Sequence, residues 1–460
     1  MSNQLLSFRM ERELREDLGG RSIEVANALR FAFGTPDLPK WPDILVESSR
    51  YHSLTDQKSL ARASGPVGRN FDLVEVGLFR KQCAQCHGIS GDGFGPTAAL
   101  LDPYPRDFRR GTFKFKNAFY GTRPSVEDLI QTITFGVPGT SMPAMANLKR
   151  SKHYADDIPI LARYVRFLAI RGEVERELMM DTIRDLDSED VLFDTNLQET
   201  SPEAFKNGLR RINEVIIRVA DRWMLSDGLK ESQSQSPFNA FVARHDFAKS
   251  DLNSDSKSMA GNLFQESLES GRALFEGSIA ACAQCHGKDG TGDPKWKDYD
   301  EWTKDWTIRA GINPMARAEW KPLKQLGLLK PVAAFPRNLT LQAYRGIPTI
   351  DNLPISDSSL HDSLPEKASA EETSSREDAP VLKHAKSSSR LAILRAVLNG
   401  IEGSPMPAAA LAASTDGGLR DEQIMDLVRF VESLSNSTNS APALTGGKAA
   451  GLAVLMGAGQ

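Results

Sequence analysis

KQCAQCHGIS (Lys81–Ser90) places two cysteines three positions apart, with a histidine directly after the second. The same pentapeptide, Cys-Ala-Gln-Cys-His, returns in AACAQCHGKD (Ala280–Asp289). The chain has four cysteines, Cys83, Cys86, Cys282 and Cys285, and all lie in these two copies. A disulfide scaffold scatters its cysteines among loops, so a stapled secreted fold is a poor reading. A repeated motif asks whether its surroundings repeat as well.

They do. Leu78-Phe79 precedes the first copy and Leu274-Phe275 the second. Glycine-rich loops follow, GISGDGFGP and GKDGTGDP, and then YPRDF (Tyr104–Phe108) and FPRNL (Phe335–Leu339). LIQTITFGVPGTSMPAM aligns with LRAVLNGIEGSPMPAA, and the copies close on LARYVRFLAI and IMDLVRFVESL. In these closing runs Leu161, Tyr164, Val165 and Leu168 share one helical face, as do Ile424, Leu427, Val428 and Val431, and core packing is their expected role. Fifty-five positions separate His87 from Met142 and 120 separate His286 from Met406, so the second copy carries about 65 more. Part of that excess is rich in tryptophan (Trp296, Trp302, Trp306, Trp320), read as a satellite hydrophobic cluster. Part is a polar, low-complexity loop at about 351–390 that lacks the apolar content of a core.

At 460 residues the chain has room for roughly three units. Its 40% hydrophobic and 25% charged residues fit a globular protein, and a net charge of -4 offers no basis for nucleic-acid binding. No apolar run is long enough for a transmembrane helix, and MSNQLLSFRMERELREDLGG shows no export signal. The expected division is an irregular, partly helical N-terminal extension (1–69), a domain built on the first copy (70–171), a helical spacer and linker (172–267), a domain built on the second copy with the inserted loop (268–436) and a flexible tail (437–460). In the spacer, Leu209, Ile212, Val215, Ile216, Val219 and Trp223 recur at helical spacing.

Cys-x-x-Cys-His is the attachment pattern of c-type haem. On a helix, positions i and i+3 share a face, so both sulfurs reach one porphyrin edge, and i+4 brings His87 or His286 beneath the ring as an iron ligand. Zinc wants four ligands and each copy offers three; a thioredoxin-like pair wants a βαβ setting, and none is evident. Methionine is the usual sixth ligand in electron carriers. Met142 and Met406 hold the same repeat position, each in a Gly/Pro loop and each followed by proline; Met145 competes with Met142 but lacks that proline. The histidine's second nitrogen is expected to meet a carbonyl, with Pro96 and its weaker counterpart Pro294 as candidates. Arg106 and Arg337 are candidates for haem propionates, and Lys114 and Lys116 for an exposed basic face that docks an acidic redox partner.

At these residues the chain resembles the class I cytochrome c family. The resemblance rests on LFRKQCAQCHGISGDGFGP, GTSMP and RYVRFL with their second-copy counterparts, and covers about 70–170 and, with interruptions, 268–436. It implies an all-α fold with two cytochrome c-like domains, two covalent haem c groups and iron ligation by His87 and Met142, and by His286 and Met406. The whole resembles a bacterial di-haem cytochrome c of a respiratory chain, working on the outer face of the cytoplasmic membrane between a redox donor and acceptor, a membrane respiratory complex among them. Carrier is preferred over enzyme because a Met-Pro in both copies leaves no open iron position. A di-haem peroxidase and an electron-accepting subunit of a dehydrogenase or oxidase complex remain as alternatives.

Overall fold

The structure, a computed structural model, describes residues 18–116, 121–137, 139–145, 154–184, 191–228, 241, 259–292, 298–308, 311–325, 329–341, 390–408 and 419–436. The polar insertion and Pro294 lie outside them, as do Trp296 and the side chains of Trp302 and Trp306. The fold is all-α, as expected: among the described residues the strands are two short antiparallel pairs, β1 (Gly68–Arg69) with β2 (Glu75–Val76) and β3 (Asp298–Tyr299) with β4 (Ala333–Ala334).

In the N-terminal part, helix α1 (Gly19–Phe33) turns Val25, Ala28, Leu29, Ala32 and Phe33 inward. Helix α2 (Asp43–Val46) buries Leu45. Helix α3 (Gln57–Ala63) starts where the Asp56 carboxylate accepts from Ser59 N at 3.0 Å, satisfying an otherwise orphaned N–H. Helices α4 (Leu78–Gln82) and α5 (Ala84–His87) carry the first motif, and α6 (Val126–Phe135) begins on a capping box of Ser125 and Asp128. All of this gathers around α7 (Tyr154–Arg184), in which Leu161, Tyr164, Val165 and Leu168 are buried as their spacing predicts. Phe79 packs on Tyr164 with ring centroids 5.1 Å apart, and Trp41 meets Phe167 edge-on at 5.0 Å. Gly172, in mid-helix, lets the chain at Arg109 come close: a Cβ there would stand 2.3 Å from Arg109 Cα.

Helix α8 (Leu197–Thr200) leads into α9 (Pro202–Gly228), which lays Ile212, Val215, Ile216, Val219 and Trp223 on the same core. One apolar cluster therefore runs from Leu18 to Trp223 and joins the extension, the first copy and the spacer helix.

The second copy has its own cluster. Helix α10 (Met259–Glu276) crosses α15 (Asp421–Asn436) where Gly271 has no side chain; a Cβ there would lie 2.1 Å from Asp426 O. Phe275 and Phe430 pack beside that crossing with ring centroids 5.3 Å apart. Helix α11 (Ala283–His286) carries the motif, and α12 (Glu301–Trp306) and α13 (Arg317–Gln325) belong to the insertion. Helix α14 (390–399) precedes the second Met-Pro loop. Ile424, Leu427, Val428 and Val431 of α15 are buried, as expected.

Glu173 of α7 is the buried polar anchor of the larger core. Its carboxylate accepts from Trp223 Nε1 at 2.8 Å, from Arg123 Nε at 2.9 Å and from Arg222 Nη2 at 3.4 Å. Loss of hydration raises its pKa, and the arginines oppose that shift. Glu173→Ala should destabilise the protein by about 3–5 kcal/mol, because two guanidinium groups and an indole N–H lose their acceptor. Glu173→Gln should cost less, because an amide oxygen still accepts from Trp223. Urea unfolding of both variants checks the order.

Candidate haem sites

Each motif folds into a single helical turn. Cys83 begins α5 and Cys282 begins α11; His87 N donates to Cys83 O and His286 N to Cys282 O, both at 2.9 Å. The glycines that follow, Gly88 and Gly287, take φ of 74° and 71°, which turns the chain sharply after the histidine. The loop then folds back under the helix. Gly93 N donates to His87 O at 2.9 Å and Gly292 N to His286 O at 2.8 Å. Phe108 N reaches Gly91 O at 2.8 Å and Leu339 N reaches Gly290 O at 2.6 Å. The glycine-rich loops and the Pro-Arg segments are thus paired in both copies.

That pairing supplies the histidine's partner. His87 Nδ1 lies 3.1 Å from Arg106 O, and His286 Nδ1 lies 2.8 Å from Arg337 O. A carbonyl only accepts, so Nδ1 carries the proton and Nε2 keeps its lone pair for a metal. Burial lowers the pKa of both histidines, which keeps the imidazoles neutral. Pro96 is therefore not the orienting residue of the first copy. Gly95 N and Thr97 N bind back to Cys86 O (3.0 Å) and Gln85 O (3.1 Å), so the Pro96 segment closes the end of α5 instead. The acceptor is the residue after Pro105 or Pro336, and Gly93 and Gly292 let that segment approach: a Cβ would stand 2.7 Å from Pro105 O or 2.9 Å from Pro336 O. Phe108 stacks on the His87 ring at 4.5 Å and fixes its tilt.

No disulfide joins the four cysteines. Burial pushes the Cys83 thiol up to about 12 and the Cys282 thiol up to about 11, and raises Cys285. Among the described residues no group of three His, Cys, Asp or Glu side chains converges as a metal cage.

The Met-Pro loops match bond for bond. Val137 N donates to Met142 O and Ile401 N to Met406 O, each at 3.2 Å. Thr140 Oγ1 donates to Val137 O at 2.8 Å and accepts from Met142 N at 3.2 Å; Ser404 Oγ does the same with Ile401 O (2.7 Å) and Met406 N (3.3 Å). Gly136 and Gly400, with φ of 67° and 64°, open the loops, and a Cβ on either would lie 2.6 Å from the backbone N of Ala144 or Ala408. These glycine and hydroxyl positions were visible as matches in the aligned loops, but bond geometry is what gives them a role. Met142 and Met406 are half-buried, whereas Met145 is 5% exposed and belongs to the core.

Desolvation lowers the pKa of Arg106, and the negative charges of Asp300, Asp107 and Glu402 oppose that shift. Lys116 is not part of an exposed basic face: it is buried and donates to Glu402 and to Thr122 O. Asn399, just before Gly400, buries both ends of its amide without a hydrogen-bond partner in the chain. Two imidazoles with a free Nε2, paired thiols on one turn and an unsatisfied buried amide beside the second methionine loop are a donor set that fits haem c.

The family model of cytochrome c oxidase, cbb3-type, subunit III matches residues 76–165 and 266–324. The first block spans every landmark of the first copy as far as α7; the second takes in the motif of α11 and ends within the insertion. A solved structure, the reducing HAO-like protein complex of Kuenenia stuttgartiensis, is 16% identical to the chain, covering 78% of it and 94% of that chain at a TM-score of 0.38. Comparison with curated proteins gives no match. The chain is cytochrome c-like, and its chemistry in outline is covalently bound haem c and electron transfer.

Gly136→Ala or Gly400→Ala forces a positive φ on a residue with a Cβ and pushes that Cβ into backbone, so each should cost more than about 1 kcal/mol. The damage should appear first as faster proteolytic cutting within 136–144 or 400–408, read by limited proteolysis and mass spectrometry.

Proposed function

We propose that the chain is a di-haem electron carrier with iron ligated by His87 and Met142 in the first copy and by His286 and Met406 in the second. The observation that carries this reading is duplication at the level of single hydrogen bonds: the same carbonyl takes each Nδ1, and the same hydroxyl steadies each methionine loop. When bound, each haem supplies the one-electron couple of its iron. The chain's own part is to tether it through Cys83 and Cys86, or Cys282 and Cys285, to hold the imidazole neutral and fixed, and to close the opposite face with a thioether. The two haem-bearing units are about 70–171 and 268–436. We infer from the resemblance to exported c-type cytochromes a working place on the outer side of the cytoplasmic membrane, in a respiratory chain, between a redox donor and an acceptor. No helix of the described residues is long and apolar enough to cross a membrane. The matched family is named for an oxidase subunit, which favours, as a second reading, a haem subunit that feeds electrons to a larger oxidase-type complex.

Two covalent haems should be found on the denatured holoprotein by mass spectrometry. Replacing Cys83 and Cys86 by serine should remove one, and replacing Cys282 and Cys285 the other; a single haem in the wild type refutes the reading.

Methionine ligation makes a separate prediction. Met142→Ala and Met406→Ala should each open one reduced iron to carbon monoxide, while the wild type binds none. Met145→Ala should cost about 2–5 kcal/mol of stability as a core truncation and leave both irons closed. Carbon monoxide binding and peroxide turnover by the wild type would point instead to a di-haem peroxidase.

A further inference from the structure

The two copies meet through polar side chains that already belong to their ligand frames. Glu402 sits in the Ile401–Ser404 turn that supports Met406. Its carboxylate accepts from Lys116 Nζ and from Gly121 N at 3.4 Å, both in the first copy. Lys116 and Glu402 are 7% and 8% exposed, so the pair is shielded from water. The neighbouring Gly403 packs so tightly that a Cβ would lie 3.3 Å from Thr112 Cγ2 and 3.5 Å from Arg106 Nη1. Gly403 O accepts from Glu301 N at 3.1 Å, which brings the insertion into the same contact, and the charges of Asp300 and Glu402 both act on Arg106. Arg106 is also the residue whose carbonyl holds His87. A single residue of the first copy therefore bridges the second copy's methionine loop and the first copy's histidine. The first copy has Pro138 where the second has Glu402, so the turn itself does not require a carboxylate.

We propose that this junction, which sets the turn before Met406 against the Arg106 segment that holds His87, is the route of electron exchange between the two haem-binding copies, and that Glu402 is the positioning residue that holds it closed. One electron leaves one iron and arrives at the other; no bond forms or breaks and no proton moves. The inference rests on the di-haem reading above. Removing one partner of a buried ion pair strands the other, so the contact should be sensitive to the charge at position 402.

The test uses the full chain with both haems. A photochemical pulse reduces one haem, and equilibration with the other is followed by visible absorption; midpoint potentials are measured in parallel. Glu402→Lys, facing Lys116 and Arg106 with like charge, should slow equilibration about tenfold or more. Glu402→Gln should raise both midpoint potentials, because it removes a negative charge that stabilises the oxidised iron. Glu402→Asp should restore near-wild-type behaviour, and Glu266→Gln, an exposed change on α10, should alter neither readout. Unchanged rates and potentials in Glu402→Lys and Glu402→Gln, with two low-spin covalent haems present, overturn the proposal and leave the di-haem reading standing. A wild type with one haem, or with an open iron, overturns that reading instead. If Glu402→Lys fails to hold a haem, the charge-swapped Lys116→Glu/Glu402→Lys protein decides: recovery of haem and rate supports the junction, and failure to recover rejects it.

Discussion

Each copy is organised around a neutral imidazole, buried in the first and half-buried in the second, with one nitrogen already committed. A neutral ring has one donor and one acceptor; once Nδ1–H is given to a carbonyl, Nε2 can only present a lone pair. A carboxylate in the same place would add a charge and a rotatable side chain. A backbone carbonyl directly after Pro105 or Pro336 adds neither, and proline restricts how the segment can move. Other features follow from bringing that carbonyl within 3.1 Å of His87 and 2.8 Å of His286. The glycine loops must be slim enough to lie against the Pro-Arg segment, and the chain must reverse at once after the histidine, hence φ of 74° at Gly88 and 71° at Gly287.

The copies bury this frame differently. In the first, α4 is only five residues long and cannot cover the core alone; α1, α3 and α9 complete it. The spacer even reaches toward the histidine through a series of rings: His87 stacks on Phe108, Phe108 on Phe113 at 5.8 Å, and Phe113 meets Trp223 edge-on at 6.5 Å. Trp223 in turn is held by Glu173, so a buried carboxylate of α7 and the tilt of the imidazole share one packed path. In the second copy α10 is long enough to cross α15 directly, and Gly271 and Phe275 do what the added helices do in the first.

Much of this was legible in the sequence because it is local or periodic. The closing helices announced their buried faces by 3.6-residue spacing, and the two Met-Pro loops announced themselves by matching. The contacts that were missed join residues far apart in the chain. The acceptors of His87 and His286 lie 19 and 51 positions downstream, and the second span includes an insertion. Pro96, by contrast, is nearby and chemically plausible, but Gly95 folds it onto α5. The same holds for Lys116: a lysine in a basic stretch looks solvated until its partner, 286 positions away, is brought against it. Periodicity carries no information about such pairs, because neither member changes the local pattern.

The contact of Lys116 with Glu402 is also the least economical way to join two surfaces. Two charges taken out of water recover, in their mutual attraction, little more than they lose in hydration, and a pair of apolar side chains would bind as well or better. A buried pair does offer a fixed register, since sliding by one side chain leaves both charges unmet. Under the proposed di-haem reading, a fixed register would keep the two copies in one arrangement through both redox states. Position 402 is one of the places where the two loops diverge, glutamate standing where the first copy's sequence has proline. The glutamate ties its turn to the neighbouring copy through Lys116 and Gly121 N.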